Sequence, residues 1–325
     1  AEALIQIGDM ETVSRLLAAL QIRDSSLSRS LATALGQIGN AEAVPGLLMA
    51  LRDGNSNVRR AAVKALARIG DVTAVSGLLA ALEDDSDDVR RAASRALGMI
   101  GDTAVPGLVA ALGDESPYVR LRAAEALGRI GDPSTVAVLL VTLEDNYIDV
   151  RRASVEALGR IGAAEAVPSL VMVLDEKDLP MRRAAVEALG RIGDSTVVAN
   201  LLATLGDQNS RVRRASVEAL GRIGDASVVA ELLIALEDQN WRVRRSAVNA
   251  LGRISDATTV PVLLVALQDW NSTVRQTSAV ILGQVGNAAV VQGLLVALGD
   301  KEYDVCRAAV KALGEIADAA AVPGL

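Results

Sequence analysis

The chain of 325 residues has no histidine, no phenylalanine and one cysteine, Cys306. These absences exclude an intrachain disulfide and a zinc site of the usual Cys/His type. Any nucleophile would have to rely on Asp, Glu, Lys or Arg, and Cys306 has no obvious activating pair of that kind in sequence. The expectation is therefore a chain that is not an enzyme and needs no cofactor or metal. No run of about 18 apolar residues exists to span a membrane. A net charge of -7 argues against an indiscriminate binder of nucleic acid or of an acidic membrane surface. A cytoplasmic location is expected. Aromatic residues make up only 2% of the chain, while 51% is apolar and consists largely of Ala, Leu, Val and Ile. Such a core must be built from small aliphatic side chains packed closely, which suits thin helices stacked side by side.

What is present is a period. The tripeptide Ile-Gly-Asp or a near variant recurs, each copy after an amphipathic stretch such as Val212 to Asp225. The first apolar residue of each stretch (Leu27, Val58, Val89, Val119, Val150, Met181, Val212, Val243, Val274, Val305) recurs every 31 residues, with one step of 30. A fixed period of this size signals stacked supersecondary units rather than a globule. At 100 degrees per residue, Val212, Ala215, Ser216, Ala219, Leu220 and Ile223 fill one arc of an inner helix. Gly224 then suits a left-handed cap and Asp225 the N-cap of a second, outer helix running from Ser227 to about Leu236. Pro45, Pro106, Pro168, Pro261 and Pro323 fall near the first turn of that outer helix, where proline is tolerated. Glycine inside most inner helices (Gly98, Gly128, Gly159, Gly190, Gly221, Gly252, Gly283, Gly314) predicts close approach of the next inner helix, through its Ala residues. The chain starts and stops inside a repeat, so we expect one array, residues 1–325, cut from a longer protein. Exposed Leu4, Ile7, Val322 and Leu325 should then favour end-to-end self-association.

Paired short helices with Asp149-Val150-Arg151 entering the second and Leu158-Gly159-Arg160-Ile161-Gly162 leaving it resemble HEAT repeats, in the short form of the phycobilisome lyases. The resemblance implies an all-α solenoid of about ten stacked two-helix repeats, superhelical, with a concave surface lined by inner helices. HEAT arrays are mostly protein-binding scaffolds. The same short repeat occurs in bilin lyase subunits, in sensor regions of signalling proteins and in designed arrays. Deoxyhypusine hydroxylases use it with His-Glu iron ligands, which a chain without histidine cannot supply.

In most repeats two arginines follow the marker residue. The first (Arg59, Arg90, Arg120, Arg151, Arg182, Arg213, Arg244, Arg275) lies at the edge of the buried arc. It is expected to pair with the recurrent acid of the preceding turn (Asp53, Asp84, Asp114, Asp145, Asp207, Asp238, Asp269), in a ladder that breaks at Cys306. The second begins a solvent stripe at i, i+4, i+8. In the central repeats this stripe reads Arg-Glu-Arg, a helix face stabilised by its own pairs. Arg60-Lys64-Arg68 and Arg91-Arg95 lack such compensation, and Arg245 and Arg253 extend the basic groove, so these are candidate ligand contacts. All five aromatics lie in turns that lead into inner helices. Trp241 and Trp270, in consecutive repeats beside the neutral Gln276-Val280-Gln284, suggest a partner site, although a turn aromatic can also simply pack over the neighbouring turn. The outer helices carry Val138, Val141, Met172, Val173, Ile234, Val262, Val265 and Val296 at non-core positions. Neighbouring outer helices are expected to cover them; left bare, they would mark an interaction surface. The leading expectation is a scaffold that binds an acidic or mixed protein or peptide segment. A bilin lyase or lyase-like chaperone subunit and a nucleic-acid binder are the alternatives.

Overall fold

The computed structural model of the chain describes residues 10–20, 25–224, 226–254, 259–286 and 288–321. Leu4, Ile7, Asp225, Val322, Pro323 and Leu325 lie outside the described residues. The described chain is helical with no strand, and it divides into two compact units, residues 1–166 and 167–325. The first unit contains α1 (Met10–Leu20), α2 (Ser25–Ile38), α3 (Val44–Ala50), α4 (Ser56–Ile69), α5 (Val75–Ala80), α6 (Asp87–Ile100), α7 (Val105–Ala111), α8 (Pro117–Ile130), α9 (Val136–Val141) and α10 (Ile148–Ile161). The second contains α11 (Val167–Val173), α12 (Leu179–Ile192), α13 (Val198–Ala203), α14 (Ser210–Ile223), α15 (Val229–Ala235), α16 (Trp241–Ile254), α17 (Val260–Ala266), α18 (Ser272–Val285), α19 (Val291–Ala297) and α20 (Tyr303–Ala321). Long inner helices alternate with short outer ones, as the period predicts.

Local chemistry sets the boundaries. The Asn55, Asn209 and Asn271 side chains accept from the backbone N–H two residues on and so cap α4, α14 and α18. Gly70, Gly131, Gly193 and Gly224 end their helices in the left-handed region. The outer segment differs from expectation in its first turn. Asp71, Asp132 and Asp194 cap a three-residue 3₁₀ turn by accepting from Thr73, Ser134 and Thr196, and the α-helix begins only afterwards. Pro45, Pro106 and Pro261 enter that α-helix in its first turn.

Each repeat contributes one fully buried outer leucine, such as Leu47, Leu78 and Leu108 in the first unit and Leu201, Leu232 and Leu263 in the second. These meet inner-helix leucines such as Leu66, Leu97, Leu220 and Leu251, also fully buried. Burying such a side chain stabilises by about 1.5–3 kcal/mol. Of the marker residues, Leu27 departs from the pattern and is exposed. The glycines behave largely as predicted: a methyl group on Gly128, Gly190 or Gly221 would stand within 2.6–2.8 Å of the Cα of Ala157, Ala219 or Ala250 on the next inner helix. Two differ. Gly98 is approached by the Arg129 side chain and Gly252 by Ile281.

The single short step in the period falls at Gly101. This residue closes α6 and also stands where most other repeats have a capping Asp or Asn, with φ 87° and ψ -143° and no side-chain cap. The one-residue loss has removed the capping residue itself, and only glycine readily takes up that backbone conformation. Replacing Gly101 with alanine should therefore cost about 1–3 kcal/mol in urea unfolding.

Candidate functional site

The first arginine of most repeats joins a ladder, but one that runs forward. Arg59 Nε donates to Asp84 Oδ2 at 2.6 Å and its Nη2 to Oδ1 at 2.7 Å, a bidentate pair with the turn of the next repeat. Arg120 meets Asp145 in the same way, and in the second unit Arg182, Arg213, Arg244 and Arg275 meet Asp207, Asp238, Asp269 and Asp300. The preceding acid, expected as the partner, supplies only its backbone carbonyl, as when Arg59 Nη1 donates to the Asp53 oxygen at 2.9 Å. Its carboxylate is occupied within its own turn, where Asp84 Oδ1 accepts the Ser86 N–H at 2.9 Å. Hydrogen bonds from Arg120 and Arg275 hold the Asp145 and Asp300 carboxyls below their ordinary range. Burial would raise Asp238, yet the Arg213 hydrogen bond and the Asn240 N–H leave it lowered as well. Their contribution to stability is present above the ordinary carboxylate pKa and is lost as pH falls through the depressed values. At Cys306 the charged pair is absent, as expected, although its Sγ still donates to the Asp300 carbonyl at 2.9 Å.

On the inner face of the first unit, Arg60, Lys64 and Arg68 from α4 join Arg29 and Thr33 from α2 around a cleft of about 230 Å³. Arg60 is compensated after all, by Asp88 of α6 at 3.1 Å. Arg91 is likewise held by Asp87 at 2.8 Å, one turn earlier on α6. Among the described residues Arg29, Lys64, Arg68 and Arg95 have no carboxylate partner. Further along, the repeats supply their own acids: Arg160 donates to Glu156 at 2.9 Å, and Arg129 lies 3.6 Å from Glu125. Burial holds the Arg129 guanidinium below its usual value, and the positive charges of Arg160 and Arg95 add to this against the pull of Glu125.

In the second unit, Trp241 opens α16 and lies against Arg242 at 4.6 Å and Arg245 at 5.5 Å from ring centroid to guanidinium carbon. Trp270, 72% exposed, covers the guanidinium of Arg244 at 4.5 Å. The two indoles thus pack on different arginines, with no ring contact between them among the described residues. Trp270 illustrates a wider rule, since Tyr118 and Tyr147 likewise cover Arg90 and Arg120 of the repeat before them. Arg253 is exposed at the end of α16, Val280 is exposed on α18, and Gln276 is half-buried. The outer helices correct an expectation: Val141 in the first unit, and Met172, Ile234, Val265 and Val296 in the second, are each at least 69% exposed. Only Val138, Val173 and Val262 are partly covered. No described helix is long and apolar enough to cross a membrane.

The family profile of HEAT repeats matches residues 44–112, 105–189, 177–233, 198–279 and 260–325. The chain belongs to the HEAT-repeat family. The profile of the PBS lyase HEAT-like repeat matches one stretch, residues 29–53. None of the curated proteins matches the chain in sequence. Among solved structures, this HEAT array is similar to Kap95p bound to RanGDP, with a TM-score of 0.67 at 15% identity, covering 96% of this chain and 52% of that one. It is similar to yeast importin-beta, Kap95p, with a TM-score of 0.60 at 18% identity over 97% of this chain and 51% of that one. The E. coli protein YibA gives 0.54 at 25% identity, over 79% and 97%. The array spans about half the length of the importin chains. At these identities the likeness is one of fold, an all-α solenoid.

One functional-looking residue of the HEAT array escaped the sequence reading. Arg122, buried on α8, occupies the place where most repeats have alanine, and Leu121 takes the place of the usual second arginine. Its Nη2 donates to Asp87 of α6 at 2.7 Å and its Nη1 to Glu125 at 2.8 Å. The repeat just before it is one where the ladder fails. Arg90 makes no pair with Asp114, the short step having changed the spacing, and its buried Nε has no hydrogen-bond partner. The junction is instead tied backward, by Arg122 to Asp87, and by Arg129 Nη1 donating to Ser94 Oγ at 2.9 Å. The transposed Leu121-Arg122 was the signal in the sequence.

Proposed function

We propose that this HEAT array is a non-catalytic scaffold that binds an acidic or mixed segment of a protein partner on the inner face of its first unit. The observation that carries this reading is the cleft between α2 and α4, where Arg29, Lys64 and Arg68 stand without counterions in a chain of net charge -7. Unpaired cations on an otherwise acidic protein attract carboxylates by steering and by charge-assisted hydrogen bonds. Arg60, Arg91 and Arg95 extend the same face, with Arg60 and Arg91 partly committed to Asp88 and Asp87. In the second unit, Trp241 with Arg245, and Trp270 on Arg244, offer the rigid aromatic and guanidinium groups that dominate interface energies. Arg253, Gln276 and Val280 are weaker candidate contacts of the same unit. The fold shared with importin-beta supports a protein-binding role in general. Nucleic acid is disfavoured, because the basic cleft has no aromatic side chain on which a base could stack.

A fluorescein-labelled poly-glutamate peptide tests the reading by anisotropy. Reversing both Lys64 and Arg68 to glutamate should weaken its binding at least about ten-fold, and added salt should weaken binding to the unaltered protein. Equal affinity for the variant would refute the assignment.

A further inference from the structure

The cleft between α2 and α4 is chemically narrower than a general acidic-segment groove. Its lining brings four cations, Arg29, Arg60, Lys64 and Arg68, and no carboxylate. Asp88 satisfies Arg60 from outside the lining, which leaves three uncompensated positive charges around about 230 Å³. The neutral polar groups are already oriented. Thr33 Oγ1 donates to the Arg29 carbonyl at 2.8 Å, and the Asn57 amide oxygen accepts from Arg60 Nη2 at 3.1 Å, which leaves the Asn57 amide nitrogen as a donor. Guanidinium, ammonium and amide N–H groups therefore dominate what the cleft offers a ligand. A single carboxylate would bring one charge and two oxygens into this space. A phosphomonoester brings roughly 1.5 to 2 negative charges and three strong acceptor oxygens, a closer match to three cations.

The site is also local. The next stripe position on α6 is Arg91-Arg95-Met99, with Arg91 held by Asp87. On α8 and α10 the central place is taken by Glu125 and Glu156, each close to an arginine of its own helix. A long polyanion would find no continuous track along this unit, whereas one compact dianion finds a complete set of donors. We propose that the α2–α4 cleft is a phosphomonoester site that reads a phosphorylated side chain on the partner segment. This inference rests on the reading of the same face as a protein-binding surface.

Three fluorescein-labelled degenerate peptide pools, alike except for a central phosphoserine, glutamate or serine, separate the two. Each is titrated by anisotropy against the full chain and against a Lys64→Gln, Arg68→Gln variant. Both residues are exposed and without ion pairs, so the variant should keep its helical circular dichroism. The phosphoserine pool should bind at least about ten-fold more tightly than the other two, lose that advantage in the variant, and be displaced by inorganic phosphate. Equal binding of the phosphoserine and glutamate pools, both weakened in the variant, would overturn the phosphomonoester site and leave the acidic-segment reading standing. Absent binding, or binding unchanged in the variant, would overturn both. Tighter binding of a single-stranded oligonucleotide than of the phosphoserine pool would overturn the proposal in favour of nucleic acid.

Discussion

Replacing Asp269 with alanine is expected to lower unfolding stability by about 3–5 kcal/mol, the cost of leaving a buried charge without its partner. Arg244 is only 3% exposed, and its Nε and Nη2 both donate to the Asp269 carboxylate, at 2.6 and 2.8 Å. The indole of Trp270 closes over the same guanidinium. The carboxylate also accepts the Asn271 N–H at 2.7 Å, so its loss loosens the turn that starts α18. A companion substitution, Arg244→Met, should restore part of the loss, since removing both charges avoids the orphaned guanidinium. Glu11→Ala, which breaks the exposed Arg15 pair on α1, should cost no more than about 0.5 kcal/mol. Urea unfolding followed by circular dichroism distinguishes these outcomes. A cost for Asp269→Ala no greater than that for Glu11→Ala would mean that the ladder is decorative.

Gly221→Ala should move stability against helix propensity. In an exposed helix the change gains about 1 kcal/mol. Here the added methyl would lie 2.5 Å from Ala250 Cβ and 2.8 Å from its Cα, so α14 and α16 would have to separate. Overpacking of this kind costs about 1–3 kcal/mol, and the net effect should be destabilising. Gly314, the equivalent position on α20, has nothing within 4 Å of an added methyl, and alanine there should stabilise by up to about 1 kcal/mol. Thermal melts of the two variants should shift in opposite directions. A rise for Gly221→Ala would show that the inner helices are not held at glycine-limited contact.

The period carried most of the architecture because a 3.6-residue apolar arc, a glycine stop and an acidic cap are each local events. The direction of the ladder was not local. Arg59 stands six residues after Asp53 and 25 before Asp84, and both spacings recur along most of the chain, so periodicity did not choose between them. Geometry chooses, because each turn uses its own carboxylate to hold the next N–H and presents the rest to the arginine arriving from the previous repeat. Exposure of the outer helices was equally hidden. Val265 and Val262 are the same residue type three positions apart, and only the placement of neighbouring helices makes one bare and the other partly covered. The cationic stripe on α4 was readable, but the pairing of Arg60 with Asp88 required knowing how α4 and α6 lie side by side.

Because each paired arginine of the ladder takes its carboxylate from the turn that follows it, the repeats behave as interchangeable parts with matching couplings. Duplicating or deleting a whole repeat would join an arginine to an aspartate of the same kind and leave the new junction intact. The junction between α6 and α8 is keyed differently, since there the acid stands on the earlier helix as Asp87 and the cation on the later one as Arg122. Those two repeats are coupled by a pair of their own: a recombination event that separated them would take Asp87 from Arg122 and leave it Glu125 of its own helix.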